Sequence, residues 1–378
     1  MSLWTCRFES GPGHRMHHKF TLILIALLIA GCAILSPRAH AQETAKGQVT
    51  VIKAQVLEVL HQEQREISGT GVRRNFQIIK VKLLEGDASG KVISIDNDYQ
   101  SMRAGDFLYL TRALNAVTGE ETYSFFEPYR IPMIIFFIGL FLAVLFIFGG
   151  TQGLRGLLSL AISFFFIAHL LLPGILHGYS PVLISIGVSS LIIILGSYVT
   201  HGFNKTTTAA VLGMIVTIII TGLLAYAAIH FGRFSGFTSE ESVYLNFNTR
   251  GSINFVSLLL GSIMIGLLGV LYDAAIGQAI AVEELYGAGS HLSHTEVYKR
   301  AIRIGREHIG ALVNILAIAY VGASLPLLLL FAQTSTQSSL VTMNQEIFAT
   351  EIIRTMVGSI GLILAVPITT IVSVFLLF

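Results

Sequence analysis

The sequence predicts a mainly α-helical polytopic membrane protein, with about seven transmembrane helices after a signal peptide and a small N-terminal extracytoplasmic β-barrel-like domain. Three observations carry that expectation. Apolar residues make up 53% of the 378 residues and charged residues only 12%, against about 25% charged in soluble domains. The N-terminus has the form of an export leader, and the last two thirds of the chain break into apolar runs each long enough for about 20 residues of helix. A net charge of +2 with no finger spacing or arginine–aromatic stretch excludes nucleic acid as a partner.

The leader, residues 1–41, has a positive start (His14, Arg15, His17, His18, Lys19), an apolar stretch over 20–35 and the small-x-small site Ala39-His40-Ala41. Two other readings stay open. An uncleaved signal anchor is one, since about 16 apolar residues approach the lower limit for spanning a bilayer. Lipidation at Cys32 is the other, although the apolar run continues past that cysteine. Cys6 and Cys32 are the only cysteines, and both fall in the leader, so no disulfide framework is expected.

Residues 45–128 have ordinary soluble character. Short β-rich runs over 49–51, 54–60, 76–84, 91–95 and 107–110 are separated by turn signals such as Glu85-Gly86-Asp87 and Ala104-Gly105-Asp106. About 80 residues suffice for one modest core, and a small antiparallel barrel is expected. Asp106 reads as a turn residue rather than a ligand.

Within 131–378, seven spans are expected near 131–149, 154–172, 180–199, 208–230, 252–273, 309–331 and 352–376. With the β domain outside, Arg155, Lys205, Lys299, Arg300, Arg303 and Arg306 fall in cytoplasmic connections, and Arg233, Arg250 and Arg354 fall outside. That bias follows the positive-inside rule and places the C-terminus in the cytoplasm of a bacterial cell whose plasma membrane holds the chain. A division of one plus three plus three inverted spans would suit the parity, but no self-similarity of residues supports it. Ser262 and Gly266, then Gly269, Asp273 and Gly277, share faces of span five, while Ala210, Gly213, Thr217, Thr221 and Ala225 share one on span four; such faces serve close helix packing. Pro326 and Pro367 lie inside spans six and seven, where each frees a backbone carbonyl.

The stretch richest in chemistry runs from Gly266 to Phe331. On a continuing helix Asp273, Gly277, Ala281 and Glu284 fall on one face, with Glu283 beside them. That face attracts a cation or relays protons, or it pairs with Arg303 and Arg306 across the connector. Ser293 to Glu296 has capping-box spacing, and Val297, Ala301, Ile304 and His308 form an apolar stripe ringed by Lys299, Arg300, Arg303 and Arg306. A basic amphipathic helix is therefore expected on the inner membrane surface, turning afterwards into span six and carrying polarity into it through Glu307 and Asn314. His291, His294 and His308 lack a complete ligand spacing, so no metal is expected. No phosphate loop, nucleophile elbow or HExxH pattern occurs, so neither an enzyme nor a cofactor is expected.

Gly305-Arg306-Glu307-His308-Ile309, Val313-Asn314, Ala319-Tyr320 and Ser324-Leu325-Pro326 with the four leucines that follow resemble the YibE/F family of bacterial multi-pass membrane proteins. The likeness continues at Gly236-Phe237-Thr238-Ser239-Glu240-Glu241 with Tyr244-Leu245, and from Leu268-Gly269-Val270 to Asp273. The chain departs from the family pattern at Tyr272, where the family often has a small or acidic residue, and at Gly305-Arg306-Glu307, where it has a GRD-type tripeptide. The resemblance implies a membrane-embedded module and assigns no reaction. Two functions are expected. In the first, the chain moves a small solute or ion, with Asp273 and Asn314 at the pathway, Glu284 and Glu307 in an inner vestibule, and Glu240 and Glu241 at an outer gate. In the second, it is a non-transporting scaffold or assembly factor whose outer β domain binds a cell-envelope protein.

Overall fold

The structure is a computed structural model that describes residues 49–66, 71–114, 120–289, 292–333 and 338–377. The leader with its cleavage site, Cys6, Cys32 and His291 lie outside the described residues. The chain is mostly helical, at 68%, and divides into two compact units that meet in sequence between Phe148 and Gly149.

The first unit holds five antiparallel strands: β1 (Val49–Glu66), β2 (Arg73–Leu83), β3 (Val92–Asn97), β4 (Phe107–Leu114) and β5 (Glu121–Pro128). They form one curled sheet in the order β3-β2-β1-β4-β5. The period of two explains the core: Ile52, Ala54 and Val56 from β1, Ile79, Val81 and Leu83 from β2, and Leu108 and Leu110 from β4 all point inward. Registers Val56↔Val81 and Ile52↔Leu110 put those side chains opposite one another. Buried Gln77 is fully used, donating to Gln62 Oε1 at 3.1 Å and to the Met102 carbonyl at 3.1 Å while accepting from Met102 N at 2.7 Å. Asp106 takes the Arg103 N–H at 2.7 Å across the turn at Gly105, whose φ is 95°.

β5 was not among the expected strands. Its alternation ends in Glu127 and Pro128, directly before the apolar run, and those residues read more simply as the entry to a span. An Arg112–Glu121 ion pair ties β4 to β5. The Tyr123 hydroxyl, at 2.7 Å, and that guanidinium hold the Glu121 carboxyl below the usual carboxylate range.

Six helical runs among the described residues are long and apolar enough to cross a membrane. Four are single helices that match expected spans: α3 (Pro181–His201), α4 (Lys205–Phe231), α6 (Phe255–Ala288) and α10 (Glu346–Leu377). The first run covers Ile131–Leu176, through α1 (Ile131–Phe166), a π-helical turn (Ile167–Leu171) and α2 (Leu172–Leu176). At 46 residues it is about 69 Å long, over twice the ~30 Å hydrocarbon core. It is broken at Gly150, whose φ of 51° and ψ of −138° are non-helical, between the expected spans 131–149 and 154–172.

α7 (His294–Ala323) differs from expectation in three ways. The basic segment does not turn before span six; the two form one helix, started by the Ser293–Glu296 capping box, in which Ser293 N donates to Glu296 Oε2 at 3.0 Å. Of its expected apolar stripe, Val297 and Ala301 are buried against Val282 and Val374, while Ile304 and His308 stay exposed. The helix also ends before Pro326. Ser324 separates α7 from α8 (Leu325–Gln333), leaving Pro326 as the second residue of a new helix, where its missing N–H costs nothing. Pro367, by contrast, sits inside an uninterrupted α10.

α10 is the axis of the second unit. Val357, Gly358, Gly361, Leu362, Ala365, Val366, Thr369 and Thr370 are buried on it. A Cβ placed on Gly213 of α4 would fall 2.9 Å from the Thr369 Cα, so that contact admits only glycine. Arg354, grouped in the sequence with loop charges, instead lies within α10, where its Nη1 meets Glu351 Oε1 at 2.9 Å. Between α4 and α6 lies the short α5 (Glu240–Asn248). The loop before it is fastened by Glu346, which accepts from Ser235 N, Ser235 Oγ and Gly236 N, each at 2.7 Å.

Candidate functional site

α6 presents a face of small and polar residues. Ser262, Gly266, Gly269, Asp273, Gly277 and Glu284 are all exposed on the second unit, and their steps of three, four and seven residues keep them in one line. No atom lies within 4 Å of where a Cβ would stand on Gly269 or Gly277, the two glycines either side of Asp273. Asp273 is thus reached along an open strip of backbone. It stands about 27 Å from the start of a helix about 51 Å long, far from either end.

The neighbour of Asp273 is His201, the last residue of α3. The two act on each other electrostatically, and the His201 ring lies 5.7 Å, centroid to centroid, from that of Tyr272. Tyr272 holds this corner together by donating its hydroxyl to the Gly196 carbonyl at 3.1 Å. Tyr198, one helical turn before His201, meets the Thr208 hydroxyl of α4 at 3.2 Å. A carboxylate, an imidazole and a phenol from two helices therefore converge, a set able to bind a cation or pass a proton.

The predicted residues are not brought together as one group. Asp273 and Glu284 share the exposed face of α6, as their spacing requires, but among the described residues neither is ion-paired to Arg303 or Arg306. Asn314 and Glu307 are exposed on α7, with no hydrogen bond joining Asn314 to Asp273 among the described residues. Lys299, Arg300, Arg303 and Arg306 are all exposed around the first half of α7. Glu240 and Glu241 form the exposed first turn of α5, where a helix N-terminus favours negative charge. Hydrogen bonds from the Ser239 hydroxyl and its own backbone N–H hold the Glu241 carboxyl below its ordinary range. Among the described residues no group of three or more His, Cys, Asp or Glu is placed to hold a metal.

Buried residues explain why α6 and α7 lie as they do. Gln278 donates to the Ala301 carbonyl of α7 at 2.9 Å and to Thr370 Oγ1 of α10 at 2.8 Å. A Cβ on Gly305 would stand 2.6 Å from Gln278 Oε1 and would also overlap Val366. The glycine that opens Gly305-Arg306-Glu307 thus serves a three-helix crossing. Gly236 has a similar task, with φ of 84° and its Cα against the Phe255 backbone. His201 and Gln278 carried no pattern in the sequence: the first ends a span and the second is a lone amide in an apolar run.

A bundle of apolar helices that tucks amides and hydroxyls inside and lines one face with small and ionisable residues is a polytopic membrane protein. The chain belongs to the YibE/F-like protein family, whose model matches residues 137–378, more than half its length. No curated protein and no solved structure matches it.

Proposed function

We propose that the chain is a bacterial plasma-membrane protein that moves a small solute or ion along the exposed face of α6. The observation that carries this reading is Asp273, an ionisable group within α6 at the level where α3 ends, exposed between two glycines and beside His201. A carboxylate facing hydrocarbon costs up to about 2.5–3.5 kcal/mol on insertion scales, the value reached at the bilayer centre. Water, a passing solute or a cation on that face removes the cost.

In this reading the run Ile131–Leu176 makes two crossings, separated at Gly150, the β domain (45–128) is extracytoplasmic, and α6 ends in the cytoplasm. Support comes from the leader and from the excess of basic residues in the connections placed inside. Glu284 and Glu307 then stand in an inner vestibule, Lys299, Arg300, Arg303 and Arg306 meet anionic headgroups, and Glu240 and Glu241 lie at the outer mouth. Asn314 lines the pathway from α7. The test is flux into liposomes holding the purified protein, across a panel of ions and small metabolites. No Asp273-dependent flux under any condition would remove the idea.

A second reading, a scaffold that binds an envelope protein, draws on the β domain, where Leu57 and Leu60 of β1 stay exposed. It requires that Asp273→Asn keep full cellular function while deletion of the β domain abolishes it.

A further inference from the structure

Eleven buried side-chain nitrogen and oxygen atoms lack a hydrogen-bond partner among the described residues. Eight are serine or threonine hydroxyls, which a helix satisfies by rotation toward the carbonyl four residues back, as Thr217 and Thr221 do at 2.8 Å. The other three have no such recourse: Tyr320 Oη, Glu351 Oε2 and Arg354 Nε. They come from α7 and α10, and Tyr320 lies within electrostatic reach of both charged groups.

The chemistry of this cluster is specific. Arg354 places Nη1 on Glu351 Oε1 at 2.9 Å and Nη2 at 3.4 Å from Ser262 Oγ of α6, so two of its nitrogens face protein and Nε does not. Glu351 keeps one oxygen free of partners. The Tyr320 hydroxyl sits where a methyl group on Gly266 would be, so the glycine makes room for it. The side chains of Arg354 and Glu351 remain 20% and 23% accessible, but the three unpartnered atoms are themselves covered, so a ligand reaches them only when the Tyr320 ring swings off Gly266. The ion pair is electrically neutral, and a net charge added beside it inside a membrane would be costly. What remains to be satisfied is two donors, Arg354 N–H and Tyr320 O–H, and one carboxylate acceptor.

We propose that Tyr320, Glu351 and Arg354, with Ser262 and Gly266 beneath them, form a binding site for a small zwitterion with a carboxylate and a primary ammonium group. The carboxylate accepts from Arg354 and Tyr320, and the ammonium donates to Glu351 Oε2, so the site stays neutral when filled. Tyr320 closes the site over Gly266 and moves aside on entry. The inference takes its ligand as the cargo of the pathway proposed above, about 16 Å along α6 from Asp273.

The experiment is calorimetric titration of the full-length protein in nanodiscs with glycine, glycine betaine, acetate and methylammonium. Glycine is expected to bind, betaine to fail because it has no N–H for Glu351, and the two half-molecules to fail because each leaves a net charge. Tyr320→Phe should weaken glycine by about tenfold or more, the loss of one hydrogen bond to a charged group, and the pair Glu351→Gln with Arg354→Met should abolish binding. If the double variant does not fold, Tyr320→Phe, which removes one hydroxyl, decides alone. Heat from none of the four ligands, equal binding of betaine or acetate, or glycine binding unchanged in Tyr320→Phe would each overturn the site. Glycine binding without flux keeps the site and removes the transport reading; Asp273-dependent flux of another solute without glycine binding does the reverse.

Discussion

Two polar regions lie on α6 about 16 Å apart, at Asp273 and at Ser262, and the helix treats them differently. Asp273 is exposed, flanked by glycines with open space beside them, and faced by His201. At Ser262 the neighbouring helices close in: Arg354 reaches the serine, and Tyr320 covers Gly266. The difference teaches what each region does for the fold. Charge at Asp273 adds little to packing, whereas charge at Glu351 and Arg354 is held within α10 and tied to α6 through Ser262.

The largest effect that sharpens this contrast is expected at Arg354. Replacing it by Ala leaves the half-buried Glu351 carboxylate without its partner, at a cost of about 2–3 kcal/mol, between that of a surface pair and that of a fully buried one; the thermal melt of the purified protein should fall. The double change Glu351→Gln with Arg354→Met should recover most of that loss. Next comes Gln278→Leu, which removes the two hydrogen bonds a buried amide gives to the Ala301 carbonyl and to Thr370, at a cost of about 1–3 kcal/mol, read in the same melt. Asp273→Asn should move the melt by less than about 0.5 kcal/mol, the scale of a surface substitution away from packing features. A melt that drops as far for Asp273→Asn as for Arg354→Ala would erase the contrast.

Much of the Asp273 region was legible in the sequence. A lone acid in an apolar run is visible, and the glycine spacing that opens its face follows from 3.6 residues per turn. Its partner was not legible, because His201 ends α3, 72 residues earlier in the chain, and nothing local links it to Asp273. The second region was misread for a related reason. Arg354 near the start of an apolar stretch looks like a loop charge, and only the position of α10 beside α6 and α7 makes it half of a partly buried pair. β5 and the end of α7 were missed through local ambiguity: Glu127-Pro128 suits a strand end or a membrane entry, and Pro326 suits a kink or a new N-terminus.

The smallest expected effect lies away from both regions, in the β domain. Glu121 is held below its ordinary range by Tyr123 and Arg112, so its contribution is present above the unfolded-state value and is lost as pH falls through the depressed folded one. The protection of β4 and β5 amides against hydrogen exchange in the full-length protein, taken relative to the intrinsic rate at each pH, should therefore fall below the usual carboxylate range, and Glu121→Gln should flatten that dependence while leaving α6 amides unchanged.

The most direct test of the central claim is solute flux into liposomes containing the purified protein, wild type against Asp273→Asn, with the melt of each recorded. The account predicts a solute whose entry is lost in Asp273→Asn while the melt is unchanged. Equal flux from both proteins, or none from either for every ion and metabolite tried, would contradict it.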